Sequence, residues 1–94
     1  MNKYLVFYEQ YGGFECHGQR VDMFVAENLI DLCKTCEWLE KAVEHEFDDR
    51  PFTEREFIDF IDNIDIGGWD GFAIYLIEED KLKEIANSGI MELG

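Results

Sequence analysis

Residues 52–64, FTEREFIDFIDNI, constrain the fold more than any other stretch. Thr53 and Glu56 fit a capping box, in which the threonine hydroxyl accepts from the backbone N–H of Glu56 and the Glu56 carboxylate accepts from that of Thr53. Phe52, just before the cap, is placed to pack on Phe57 as a hydrophobic staple. A helix over 54–64 is therefore predicted. At 100° per residue Phe57, Phe60, Ile61 and Ile64 share one face, with Ile58 at its margin, and Glu56, Asp59 and Asp62 line the other. A stripe of this kind must be buried against another layer, and the rest of the chain has to supply it.

Residues 4–8, YLVFY, are β-branched and aromatic and divide into two faces, as a strand requires. Gly12 and Gly13 suit a tight turn, and residues 20–25, RVDMFV, read as the returning strand of an antiparallel hairpin. Cys16, His17 and Gly18 belong either to its loop or to the strand's beginning. Asn28 is a suitable N-cap with Asp31 in the first turn, and a helical pattern of about five turns follows. Leu29, Leu32, Cys33, Cys36, Leu39, Val43 and Phe47 form its apolar stripe, Glu40 marks the edge, and Trp38 projects to nearly the opposite side. Asp48, Asp49, Arg50 and Pro51 break that helix.

Gly67 and Gly68 end the next one, and residues 72–77, FAIYLI, read as a third strand. Asp80 can cap a short helix over 81–87, stopped by Ser88 and Gly89. The tail beyond residue 89 is too short to assign, though long enough for a fourth edge strand. The predicted fold is thus a single acidic α+β domain over 1–94, in the order β-β-α-α-β with a short C-terminal helix. A hairpin plus a third strand makes a small antiparallel sheet, packed against two main helices.

Composition bears on function. The chain has 94 residues, 22 of them acidic against 8 lysines and arginines, for a formal charge of −14. Solubility asks for a net charge of only about 2 to 8 in a small domain, and repulsion at higher density opposes compaction. A basic protein, or a metal ion, is the electrostatically permitted partner; direct binding to nucleic acid or to an anionic membrane is disfavoured. The apolar run at residues 4–8 is too short for a signal-peptide core, and no stretch approaches the roughly 20 apolar residues of a membrane span. With three cysteines, two of them in a helical pattern, a disulfide framework is not expected. A reducing, cytoplasmic setting is expected, as a monomer or small homo-oligomer.

Three constellations could carry chemistry. Cys16, His17, Cys33 and Cys36 offer four soft ligands for zinc, or a redox pair at Cys33 and Cys36. The latter two lie on an apolar stripe, however, where buried thiols are ordinarily inert. Glu44, His45, Asp48 and Asp49 match no calcium-loop spacing. No nucleophile-and-base, phosphate-loop or dinucleotide motif is present. Neither enzymatic activity, nor a metal, nor a cofactor is expected. The third constellation is the acidic stretch over 44–65, nine carboxylates against Arg50 and Arg55. Glu56, Asp59 and Asp62 rise by about 4.5 Å per step along a rigid face, and a duplex spaces its phosphates about 3.4 Å apart along each strand. Such a row can occupy a groove built for phosphates.

In size, charge, reduced cysteines and the row Glu56, Asp59 and Asp62, the chain resembles the small acidic proteins with which phages and mobile elements block host nucleic-acid enzymes, the anti-restriction and anti-CRISPR proteins. The resemblance implies a non-enzymatic inhibitor acting in the host cytoplasm on a basic nucleic-acid-binding protein. The surface expected to carry it comprises Glu44, Glu46, Asp48, Asp49, Glu54, Glu56, Asp59, Asp62 and Asp65, with Trp38 as an apolar anchor. The alternative is a small protein-interaction or dimerisation module whose charge serves solubility.

Overall fold

The computed structural model describes residues 1–12, 15–64 and 71–90, and the side chains of all of these except 11, 12 and 15–17. Strands β1 (Asn2–Gly12) and β2 (Glu15–Ala26) form the expected hairpin, longer at both ends than its apolar centres. Cys16, His17 and Gly18 belong to the strand. Three helices follow, α1 (Leu29–Thr35), α2 (Glu37–Phe47) and α3 (Glu54–Asp62), and then β3 (Gly71–Glu78) and β4 (Lys81–Asn87). The four strands make one antiparallel sheet in the order β2-β1-β3-β4.

This corrects the predicted order and the three-stranded sheet in two places. The first is the long helix over residues 28–47, which is two helices. Cys36 leaves helical geometry at φ −94° and ψ 110° and serves as the C-cap of α1 and the N-cap of α2. Its N–H still donates to the Leu32 carbonyl and its carbonyl still accepts from the Glu40 N–H, both at 2.9 Å. The break therefore sacrifices little backbone bonding. Leu29, Leu32, Cys33, Cys36, Leu39, Val43 and Phe47 are all buried, so the apolar stripe continues across it. That is why the periodicity conceals the break.

The second correction is at residues 81–87, predicted as a short helix. A two-residue turn at Glu79, in left-handed geometry at φ 51°, and Asp80 brings Lys81 opposite Glu78. A seven-residue helix is marginal by itself. The open edge of β3 offers a ladder instead, and the pairing brings Ala86 opposite Ile74 in the core.

The local signals at helix starts are realised. Asn28 Oδ1 accepts from the Asp31 N–H at 2.9 Å, and the Thr53–Glu56 capping box is complete, with both backbone bonds at 3.1 Å. Phe52 lies 6.5 Å from Phe57, ring centre to ring centre, and stacks on Phe47 at 4.5 Å. Gly67, Gly68 and the segment beyond residue 90 lie outside the described residues.

All three helices contribute to one core against one sheet face. Residues opposite one another on antiparallel strands share a face, and Tyr4, Val6, Ala26, Phe72, Ile74 and Ala86 cluster with Leu32, Leu39, Phe57 and Ile61. Ser88 ties the end of α3 to the sheet: its buried hydroxyl donates to the Ile61 carbonyl at 2.9 Å and accepts from the Phe72 N–H at 3.1 Å. Among the described residues no helix is long and apolar enough to cross a membrane.

Candidate acidic interface

The carboxylates expected to form one surface separate into two groups. The first has intramolecular work. Glu54 accepts from the Leu29 N–H at 2.9 Å and so closes the start of α1 from the start of α3. Glu56 completes the capping box and pairs with Arg50 at 3.1 Å. The Thr53 N–H, then the hydrogen bond from Arg50, hold its carboxyl below the usual glutamate value. Asp59 faces Arg55 at 3.5 Å, and Asp62 accepts from the Asn87 N–H of β4 at 2.9 Å. Glu56, Asp59 and Asp62 lie along α3, but each already has a partner.

Glu44, Glu46, Asp48 and Asp49 form the second group. All four are exposed and make no side-chain hydrogen bond or ion pair among the described residues. They cluster in sequence at the C-terminal end of α2, where the aligned peptide dipoles leave partial negative charge and additional carboxylates are unfavourable. Asp48 caps the helix at φ 48° and Asp49 follows at φ 64°, in the left-handed region that favours glycine and that aspartate, like asparagine, tolerates. Arg50, the adjacent cation, is committed elsewhere: its guanidinium lies over the Phe47 ring at 5.0 Å while it pairs with Glu56. Asp65 lies outside the described residues.

Beside this group is a groove of about 340 Å³ with a largely apolar floor that includes Cys33, Val43, Phe47 and Phe52; Glu44 and Asp49 are among its polar lining. It takes the place of Trp38 as the apolar feature next to the charge. Trp38 is half-buried on the sheet, stacked on Tyr8 at 5.8 Å and edge-on to Phe24 at 5.7 Å, with Arg20 over its ring at 5.9 Å. The indole lies off the buried stripe of α2, and it is Tyr8 of β1 and Phe24 of β2 that cover it. Trp38→Ala is expected to lower the unfolding free energy by about 2 kcal/mol in urea denaturation, through lost packing.

Cys33 and Cys36 are buried and free, and among the described residues no cluster of three or more histidine, cysteine or acidic side chains could hold a metal. The side chains of Cys16 and His17 are outside those described. Burial, then the neighbouring Cys36, pushes the Cys33 thiol up to about 12; burial also raises Cys36. Thiolate is the reactive form. Both residues are therefore expected to escape iodoacetamide at about pH 8, near a free thiol's pKa, and to label once urea unfolds the chain, as read by peptide mass spectrometry.

No protein-family model, curated protein or solved structure matches the chain. One feature outside the predicted site has a visible trace in the sequence. In β2 Val21, Met23 and Val25 alternate with the inward-facing Phe24, so the strand is apolar on both sides although helices cover only one.

Proposed function

We propose that the protein is a non-enzymatic inhibitor whose free carboxylates enter a phosphate-binding groove of a host nucleic-acid-binding defence protein, a CRISPR or restriction enzyme. The observation that carries this reading is the placement of Glu44, Glu46, Asp48 and Asp49. Among the described residues these four carboxylates have no partner, and they sit at the negative end of a helix, where like charge is unfavourable. A row of lysines and arginines spaced for phosphates supplies the missing positive charge. The apolar groove beside them can seat an aliphatic or aromatic side chain of the same partner.

The charge of −14 supports the reading as well, since it steers a basic protein toward the acidic side and makes association fast and salt-sensitive. The test is capture from a bacterial lysate on the immobilised protein, eluted by a salt gradient with and without competing duplex DNA or RNA. The expected result is a nucleic-acid-binding protein released by moderate salt and displaced by the competitor. Retention that ignores both salt and competitor overturns the reading. Such retention belongs to the second reading, an apolar interaction module, which the uncovered face of the sheet favours.

A further inference from the structure

Among the described residues the helices pack on one face of the sheet and none packs on the other, although Ala73 and Tyr75 at the centre of that second face are buried. Antiparallel pairing places Lys3, Leu5 and Phe7 of β1 beside Val25, Met23 and Val21 of β2 on the side away from the helices. Ile77, Tyr75 and Ala73 of β3 continue these rows, and Leu82 and Glu84 of β4 extend the first two. Among the described residues five large apolar side chains are exposed. Apart from Met1 they all lie here: Val21 at 54%, Met23 at 49%, Val25 at 44% and Leu82 at 46%. Leu5, Phe7 and Ile77 between them are half-buried, and Tyr75, edge-on to Phe7, is buried. None of these side chains joins the core cluster.

We infer that this face is the interface of a homodimer in which two copies pack sheet against sheet, with their helices outermost. Area is the first argument. Four strands of 7 to 12 residues, spaced about 4.8 Å apart with a rise of about 3.3 Å per residue, cover roughly 500 Å² in projection. Val21, Met23, Val25 and Leu82 on the edge strands are about half exposed while Ala73 and Tyr75 at the centre are buried, so the contact belongs with interfaces smaller than the about 800 Å² per partner of a standard one. The molecule is a slab of 38 × 34 × 19 Å, so a broad face is available.

Charge is the second argument, and it selects a second copy over a basic partner. Of the 22 acidic residues, only Glu9 and Glu84 stand in the described rows of this face, with Lys3 beside them, and Glu9 accepts from Gln19 Nε2 at 2.8 Å. A basic protein finds little there to recognise. A second copy meets almost no like charge at contact. Packed sheets lie about 10 Å apart, and a helix layer about 10 Å thick stands behind each sheet, so the acidic helices of the two copies are held well beyond the screening length of about 8 Å at physiological salt.

The test is the mass of the intact protein by sedimentation velocity, for the unchanged chain, Met23→Lys and Leu82→Lys, with circular dichroism to confirm folding. The unchanged chain is expected to run at twice its 11.1 kDa and each variant at the single-chain mass. Raising salt is expected to tighten the dimer, because it relieves repulsion between the two acidic bodies, whereas it loosens the proposed contact with a basic partner. A single-chain mass for the unchanged protein overturns the inference. So does a dimer that survives either substitution: Met23 and Leu82 lie on opposite edge strands, and a contact that spares one of them does not use the whole face.

Discussion

Neutralising Glu44, Glu46, Asp48 and Asp49 together, with glutamine and asparagine, is expected to weaken binding to the captured partner roughly hundredfold while making the protein more stable. Two tenfold steps correspond to about 2.8 kcal/mol, or about 0.7 kcal/mol per carboxylate, a moderate value for charges meeting a basic groove. The opposite sign for stability comes from the helix end. Removing like charge from the negative terminus of α2 relieves a cost of about 0.3 to 1 kcal/mol per group near the last turn. A net gain of about 1 kcal/mol raises Tm by roughly 5 °C in a domain of this size. Asparagine keeps the side-chain shape and tolerates the left-handed backbone at φ 48° and 64°.

The companion variant neutralises Glu56, Asp59 and Asp62, and it should separate the two groups of carboxylates. Those three hold the capping box, the Arg50 and Arg55 pairs and the contact to Asn87. Their loss is expected to lower Tm, with a smaller loss of binding. For Glu56 the pH dependence has a definite sign. Its folded pKa is depressed, so its contribution is present above the unfolded value near 4.5 and is lost as pH falls through the folded one. Titration of binding by isothermal calorimetry, paired with thermal melts, reads both effects. Equal loss of affinity in the two variants would return the contact to the α3 row.

Phe57→Ala is expected to lower the unfolding free energy by about 4 kcal/mol. Phe57 is fully buried in the common core and is the residue on which the Phe52 staple closes. Deleting it removes the transfer energy of a whole ring and leaves a cavity that neighbours only partly fill. A 94-residue domain has about 5 to 14 kcal/mol in total, so the variant sits near the limit of folding. In urea its midpoint should fall by about 2 M or more. Because Phe57 anchors α3 in the core and the first-turn Glu54 of the same helix closes the start of α1, loss of the ring is expected to loosen both helices, visible as lost protection in amide hydrogen exchange.

Much of the framework is written in short stretches. The Thr53–Glu56 box, the Phe52 staple, the Asn28 cap and the β-branched centres of three strands act over six residues or fewer, and each appears where local chemistry puts it. The break at Cys36 escapes a local reading because the apolar stripe runs through it unchanged. Trp38 lies off that stripe, and only the packing of α2 beside Tyr8 and Phe24 of the sheet decides that it is half-buried. Residues 81–87 are ambiguous in isolation and become a strand because β3 presents an unpaired edge.

The carboxylates show the division most clearly. By itself the sequence determined that residues 44–65 carry nine acidic groups and that Glu56, Asp59 and Asp62 stand on one side of α3. Only the tertiary structure decided which of them are free. Glu54 reaches Leu29, and Asp62 is reached by Asn87, each across 25 residues of chain. No local window contains both ends of such a bond. The open sheet face was likewise decided by packing, since helices that all settle on one side leave Val21, Met23, Val25 and Leu82 uncovered on the other.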